Sequence, residues 1–467
     1  MKNDLDQSLL ATASISEELA AFAAQFKPQS IPSSVRERAK LLMLDALGIA
    51  FASRGYDFAD KAMASIGELN EGGQSIVIGS KERLDTRNAI LMNGILVHGL
   101  DFDDTHSKGV IHATASVLPT VLAVAAKHNR SGEELVSAYV LGVEVATRLG
   151  AVAKGGFHQV GFHPTGLIGA FGCAVATGYL LGLTESQYVD AIGLTLSMGS
   201  GTLEFLNDGA WNKRMHPGWA GVSGVTAATL AKHGYLGTKL AFEGRFGLYR
   251  SHLPPGQDFD LSLATADLGC VWEVSHVSVK PLPACHFTHA AIDAAIRIHQ
   301  KGIPLEQIDR VDVLVPAEVI KTVCEPEAQK RKPQNAYEAQ FSIPFLVGTG
   351  LLKGRLTLED IEAPALHDSQ VLALAARTFY QADPNSAFPK YFDGEVMVTL
   401  KNGDVLRERE AVNRGAVDRP LTAFDITQKF RANAARQLSE DRVAAIEQAV
   451  LTMESDSAHS LALALGQ

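Results

Sequence analysis

The sequence predicts a mainly α protein, with a large all-helical domain and a smaller α+β lid domain. Three observations carry this reading. Between residues 85 and 250 apolar positions recur at helical spacing with only short Gly-, Pro- and Asn-containing breaks; after about 252 the periodicity switches to 2; from 422 to 465 an amphipathic helical pattern returns. A chain of 467 residues exceeds what one hydrophobic core usually serves. The expected division is therefore a helical domain over 1–267, the α+β lid over 268–410, and C-terminal helices over 411–467 that pack back on the helical domain.

In chain order, residues 14–26 carry apolar positions at helical spacing behind a Ser-x-x-Glu start, and Ile31-Pro32 opens a second helix reaching about Ala52. Asp45 lies on or beside the apolar face of that helix and reads as a structural hydrogen-bonding group. Residues 72–80 are β-branched and bounded by glycine, so they form at most a hairpin arm or an extended link. Helix then dominates to 250, with breaks expected at 106–111, 128–132, 154–164 and 207–218. In the lid, 272–279, 308–315 and 394–401 read as strands, the last ending in Asn402-Gly403, and helices are expected near 286–301, 337–353 and 368–380.

Composition removes several function classes. With 46% hydrophobic and 20% charged residues the chain is globular. A net charge of -10 without clustered Lys or Arg disfavours nucleic acid, and it demands local cations or helix N-termini for any anionic substrate. Four scattered cysteines form no C-x-x-C pair, so neither a zinc ribbon nor a ferredoxin-type cluster is suggested. Residues 1–6 start no apolar run after a basic segment, which predicts a cytoplasmic protein. Residues 165–184 are apolar enough to span a membrane, but their glycines and Ala/Gly-rich surroundings predict a buried core helix and no membrane partner. Gly166, Gly169 and Gly172 lack the spacing and preceding strand of a dinucleotide site, and read as helix–helix contacts.

Chemistry concentrates at four element boundaries, where loops held by rigid helices can face a shared cleft. The first, 98–112, holds Asp101, Asp103, Asp104, His106, Lys108 and His112 after its opening His98, between two apolar runs. Clustered carboxylates and histidines offer acid and base near neutral pH. The same Asp103 and Asp104 also suit helix caps or a divalent-metal site, and histidines before proline are often turn residues. The second boundary is His163-Pro164-Thr165, the start of a helix whose N–H groups attract carboxylates. The third is Asn212-Lys213-Arg214-Met215-His216, which supplies cations, and the fourth Lys280 to His289.

Taken together, Leu44-Asp45-Ala-Leu-Gly48, His98-Gly-Leu-Asp101-Phe-Asp-Asp-Thr105, Gly161-Phe-His163-Pro-Thr-Gly166, Lys213-Arg-Met-His216-Pro-Gly, Pro283-Ala-Cys-His286-Phe-Thr-His289 and Gln340-Phe-Ser-Ile-Pro344 resemble the MmgE/PrpD family. This family includes 2-methylcitrate dehydratase, cis-aconitate decarboxylase and iminodisuccinate epimerase. The resemblance implies a homodimer whose site lies between the helical domain and the lid, working with no metal and no organic cofactor. It assigns Asp101, His112, Lys213, His163 and His286 to catalysis, and Thr105 and His289 to substrate binding; Arg214, next to Lys213, is read from its charge as a further substrate-binding cation. Which of Cys285, His286 and His289 faces the site stays open. The segment from Thr105 to His112 departs from the tryptophan-containing form of many dehydratases and decarboxylases.

The expected activity is acid/base chemistry at a carbon α to a carboxylate, with a small di- or tricarboxylate as partner. Dehydration of a 2-methylcitrate-like hydroxy acid stands first. In it His112 transfers the proton, Asp101 orients or shares it, Lys213 and His163 grip carboxylates, and a lid histidine assists the leaving hydroxyl. The alternatives are an epimerase of an imino- or amino-dicarboxylate, a cis-aconitate-type decarboxylase, and a non-catalytic carboxylate-binding protein.

Overall fold

A computed structural model describes residues 13–466. The chain is mainly α with a smaller α+β part. It separates into a first unit, running to Ser278 and taking in the segment from Thr422 onward, and a second unit, Val279–Leu421. Both limits fall later than the 268 and 410 read from composition, for a local reason. Residues 268–278 are tied to the first unit, where Arg148 Nη2 donates to the Val271 carbonyl at 2.8 Å and Arg38 Nη2 to that of Val277 at 2.6 Å. At the other limit, Arg419 holds the Val412 carbonyl at 3.0 Å and pairs with Glu410.

In the first unit, α1 (Ile15–Gln25) starts at Ser14, whose side chain and that of Glu17 cap each other's backbone, as the Ser-x-x-Glu pattern predicts. Next come α2 (Ser33–Ser53), α3 (Asp57–Glu68) and a hairpin of β1 (Ser75–Ile76) with β2 (Arg83–Leu84). Six further helices build the body: α4 (Thr86–His98), α5 (Ala113–Lys127), α6 (Gly132–Val152), α7 (Pro164–Leu181), α8 (Glu185–Thr195) and α9 (Asn212–Lys232).

Both α6 and α7 are long and apolar enough to cross a bilayer. In α7 every residue except Tyr179 and Leu181 is buried, so its apolar surface is met by other helices. The glycine row of α7 does the packing expected of it. A Cβ at Gly172 would lie 2.4 Å from the Gly142 carbonyl of α6, and one at Gly169 2.6 Å from Ser116 Oγ of α5.

Two departures from the sequence reading concern α9. A break was expected over 207–218, yet the helix begins at Asn212 and runs through Pro217. Close packing overrides the proline there: a Cβ at Gly94 of α4 would lie 2.3 Å from Gly218 Cα, so the two helices cross backbone to backbone. After Lys232 the expected helix gives way to irregular chain over 233–247, where Gly237 N donates to Asp190 Oδ1 at 3.0 Å.

C-terminal helix Ala423–Ala434 packs on α2 within the first unit. Its Lys429 Nζ sits 2.8 Å from Asp45 Oδ1 and 2.9 Å from the Phe102 carbonyl, so Asp45 carries the structural role read from its face. Burial raises the Asp45 carboxyl pKa, and the Lys429 cation opposes the rise.

The second unit is a four-stranded sheet of order β6-β5-β7-β8: β5 (Ile308–Val315), β6 (Thr378–Ala382), β7 (Gly394–Leu400) and β8 (Val405–Glu410). Only β5 and β6 run parallel. Alternate valines of β5 and β7 share one core with Ala291, Ala294 and Ile298 of helix His289–His299 and Val347 of helix Ile343–Lys353. Strand β6 occupies part of the helix expected over 368–380, which stops at Ala376 because Thr378, Phe379 and Tyr380 are strand-forming and pair with β5. Of the strand expected over 272–279 only β4 (Val277–Ser278) forms, paired with β3 (Thr105–His106) in the first unit.

A Gly218→Ala or Gly94→Ala change should cost about 1–3 kcal/mol of stability by overpacking the α4–α9 crossing, measured by chemical denaturation. Unchanged midpoints for both would contradict the crossing.

Candidate functional site

Four segments of the first unit bring imidazoles together. His98 is the last residue of α4, His112 and His163 are the N-caps of α5 and α7, and His216 lies in the second turn of α9, three residues after Lys213. Ring centroids are 4.9 Å apart for His98 and His112, 5.5 Å for His98 and His163, 6.0 Å for His112 and His163, and 5.2 Å for His163 and His216. Neither N-cap histidine caps its own helix through its side chain. The positive ends of α5 and α7 therefore point toward the cluster.

Each ring is oriented by a partner on one nitrogen. His98 Nδ1 donates to Asp103 Oδ2 at 2.8 Å, with both side chains fully buried, and that same oxygen lies 3.7 Å from His112 Nδ1. His112 Nδ1 donates to the Asp104 carbonyl at 2.7 Å, which makes Nε2 its basic nitrogen, and its backbone N–H donates to Thr165 Oγ1 at 3.1 Å. Thr105 Oγ1 stands 3.4 Å from His112 Nδ1. His163 Nδ1 and His216 Nδ1 share a hydrogen bond of 3.0 Å, which requires one to donate and the other to accept. The Nε2 atoms of His98 and His163 are buried with no hydrogen-bond partner among the described residues.

Burial drives the titration of the group. It holds the His163 imidazolium well below the usual histidine range, helped by His98 and Lys213, and lowers His216 to about 4. Burial also raises Asp104 to about 7, with Asp103 adding to the rise while its bond from Thr114 opposes it. Thr114 Oγ1 bonds Tyr139 Oη at 2.5 Å as well, which extends the buried polar network around Asp104, whose Oδ1 has no hydrogen-bond partner among the described residues.

Lys213 Nζ is 2.7 Å from Asp101 Oδ1. Asp101 adopts φ +50, a left-handed conformation that Asp tolerates better than most residues and that turns the chain out of α4. The loop is fixed further on by His106, whose Nε2–H donates to Glu273 Oε2 at 2.8 Å. Burial raises the Glu273 carboxyl, yet its bonds from His106 and His276 prevail and bring it down to about 2.

Of the residues read from the sequence, Asp101, Thr105, His112, His163 and Lys213 fall in this one region. Arg214 is engaged elsewhere: its Nε donates to the Gly99 carbonyl at 2.8 Å and its guanidinium lies 4.4 Å from the Phe58 ring. His286 and His289 belong to the second unit. There His286 Nε2 accepts from Asn413 Nδ2 at 2.9 Å, and His289 Nε2–H donates to the Ala284 carbonyl at 3.0 Å.

His98, Asp103 and His216 are the members that sequence reasoning left without a site role. His216 had a signal, since three residues from Lys213 places both on one helix face. His98 closes an apolar helix and gave none. Imidazoles beside a lysine and two helix N-termini, with His163 and His216 held neutral by burial, suit carboxylate binding and proton transfer. As a donor set for metal, the ligand nitrogens of His98, His112 and His163 all lie within 4.8 Å of one another.

The chain belongs to the MmgE/PrpD family: the family's N-terminal domain matches residues 17–261 and its C-terminal domain residues 282–455. Among its relatives, the cis-aconitate decarboxylase of Homo sapiens is 28% identical, covering 94% of this chain and 92% of that protein. A cis-aconitate decarboxylase-like protein of Aspergillus oryzae is 26% identical over 97% of both chains. A 2-methylcitrate dehydratase-like protein of the same organism is 24% identical, covering 88% of this chain and 86% of its own length.

Because His216 stays neutral in the fold but titrates near 6.5 when unfolded, its contribution to stability is present above pH 6.5 and lost as pH falls toward 4. The stability difference between the parent chain and His216→Gln should therefore shrink by about 3 kcal/mol over that window, read by denaturant titration. A difference independent of pH would contradict the buried neutral imidazole.

Proposed function

We propose that the chain is a cofactor-free acid/base lyase acting α to a carboxylate of a small tricarboxylate. The observation that carries this reading is the convergence of His98, His112, His163 and His216 beside the Lys213–Asp101 pair at two helix N-termini. Lys213 and the N–H groups of α5 and α7 receive substrate carboxylates, answering the repulsion of a -10 surface. Asp101 positions Lys213. His112 moves the proton through Nε2, its ring held by the Asp104 carbonyl, and neutral His163 offers a hydrogen bond without adding a charge that the site would have to desolvate.

Two reactions use these groups. In decarboxylation the electron pair of the C–CO2 bond passes into the adjacent unsaturated acid, carbon dioxide leaves, and the carbanion-like carbon takes a proton that His112 Nε2 has first bound from solvent, returning the ring to its neutral form. In dehydration His112 removes the α-proton and the hydroxyl departs with a proton from a second group. Relatives named for cis-aconitate decarboxylation, matching across more than nine-tenths of this chain, support the first; the dehydratase-like relative supports the second. Dehydration led on sequence alone, and the relatives' names now put decarboxylation ahead.

Incubation with cis-aconitate, citrate and 2-methylcitrate distinguishes them. Carbon dioxide release from cis-aconitate is expected, alkene absorbance from the hydroxy acids would favour dehydration, and turnover of none would sink the lyase reading. His112→Ala should lower kcat by about 10²–10⁴-fold with KM nearly unchanged; full activity would remove His112 from its role.

We also propose a homodimer, supported by the exposed Met215, Trp219 and Leu230 on α9, Trp211 at its N-cap, and Leu236 and Phe246 after it. Light scattering should give twice the 49.9 kDa chain mass, and a monomer at micromolar concentration would reject it.

A further inference from the structure

The proposed chemistry leaves part of the histidine cluster unexplained. His98 is enclosed, its Nδ1 is committed to Asp103, and its Nε2 has no hydrogen-bond partner among the described residues. His163 is the same case: Nδ1 is engaged by His216 while Nε2 is buried without a partner. An orphaned nitrogen in a buried site loses its hydration without compensation. The ring centroids of His98 and His163 stand 5.5 Å apart, with that of His112 4.9 and 6.0 Å from them, and one ligand nitrogen from each of the three falls within 4.8 Å of the others.

We infer that His98, His112 and His163 form a three-imidazole site for a divalent transition-metal ion of the zinc class, and that such an ion shuts the enzyme by occupying the nitrogens that acid/base work needs. The inhibitory half rests on the acid/base reading of the site; the binding half stands without it.

Zinc takes imidazole nitrogen at about 2.0–2.1 Å, which puts ligand nitrogens about 3.3 Å apart in a tetrahedral set. From separations of at most 4.8 Å each ring moves inward by less than about 1 Å, within reach of small χ adjustments. The donor set is all nitrogen, which favours zinc, copper, nickel or cobalt over magnesium or calcium, whose ligands are oxygens. The outer layer is in place too. Asp103 accepts from His98 Nδ1 at 2.8 Å and the Asp104 carbonyl accepts from His112 Nδ1 at 2.7 Å, the carboxylate–histidine and carbonyl–histidine pairs that orient metal ligands.

Charge is accounted for on both sides. Asp103, fully buried with Oδ2 2.8 Å from His98 Nδ1 and 3.7 Å from His112 Nδ1, supplies negative charge beside two of the rings. Lys213 is the opposing cation, and its Nζ is held 2.7 Å from Asp101. A three-histidine ion also keeps an open fourth position, where a substrate carboxylate or water completes the coordination.

The test uses the full-length protein, stripped by dialysis against a chelator. Calorimetric titration with zinc chloride should show one ion per chain, and cobalt chloride should give the visible bands of a nitrogen-ligated ion. His98→Ala should abolish both signals. Asp103→Asn, with all three ligands kept, should weaken binding about 10–100-fold. His459→Ala, outside the cluster, should bind as the parent does. Circular dichroism of each variant confirms that it is folded, and Asp103→Asn keeps the test open if His98→Ala is not.

Absence of zinc binding, or undiminished binding by folded His98→Ala and Asp103→Asn, overturns the site. If the parent turns over a tricarboxylate, stoichiometric zinc should abolish turnover and chelator should restore it; full activity with the ion bound at the cluster overturns the inhibitory half. A chain with no turnover on any acid, yet with cluster-dependent zinc binding, contradicts the lyase reading alone.

Discussion

The contact on which the site depends is the fully buried hydrogen bond from His98 Nδ1 to Asp103 Oδ2. It closes α4 onto the loop that follows, and it places a carboxylate under two imidazoles at once, since the same oxygen reaches to within 3.7 Å of His112. A buried carboxylate paired with histidine is costly to leave uncompensated, so its surroundings must be fixed. Thr114, Tyr139 and Asp104 provide that fixed floor, and Lys429 ties the neighbouring Phe102 carbonyl to Asp45. Removing any one partner leaves an orphaned polar group in a dry interior.

Enclosure also decides the chemistry. Four imidazoles in contact cannot all be charged, so burial and mutual repulsion hold His163 and His216 neutral. The local cation is instead Lys213, balanced by Asp101 at the mouth of the loop. Positive potential from one lysine and the ends of α5 and α7 then meets an incoming polycarboxylate, while the imidazoles behind supply lone pairs. The same lone pairs that accept a proton accept a metal ion. Catalysis and metal inhibition are thus two readings of one donor set, separated by what fills it.

Much of this was legible in the sequence because it rests on local rules. Apolar periodicity gave the helical first unit, the Ser14–Glu17 capping box marked its first helix, and alternating valines marked β5 and β7. Asp101, His112, His163 and Lys213 stood out because charge interrupted apolar runs at helix starts. What escaped depends on tertiary contact. Pro217 is tolerated inside α9 only because Gly94 and Gly218 let two backbones meet, and Thr378 to Ala382 form a strand only because β5 offers a parallel edge. Asp103 was one carboxylate among three in the sequence, suited equally to acid/base work, a helix cap or a metal site, and it gains a positioning role because the fold pairs it with His98. Arg214, a natural carboxylate ligand by type, is stacked on Phe58 instead.

The central claim is that His163 and His216 stay neutral through the physiological range. Long-range proton–nitrogen NMR of the chain labelled at histidine ring nitrogens tests it most directly, by reporting the charge and tautomer of each ring. At about pH 5.5, a full unit below the ordinary histidine value, His163 and His216 should still show the signals of neutral rings, one protonated at Nδ1 and the other not. Titration of either ring near pH 6.5, with imidazolium signals at the lower pH, would contradict the account.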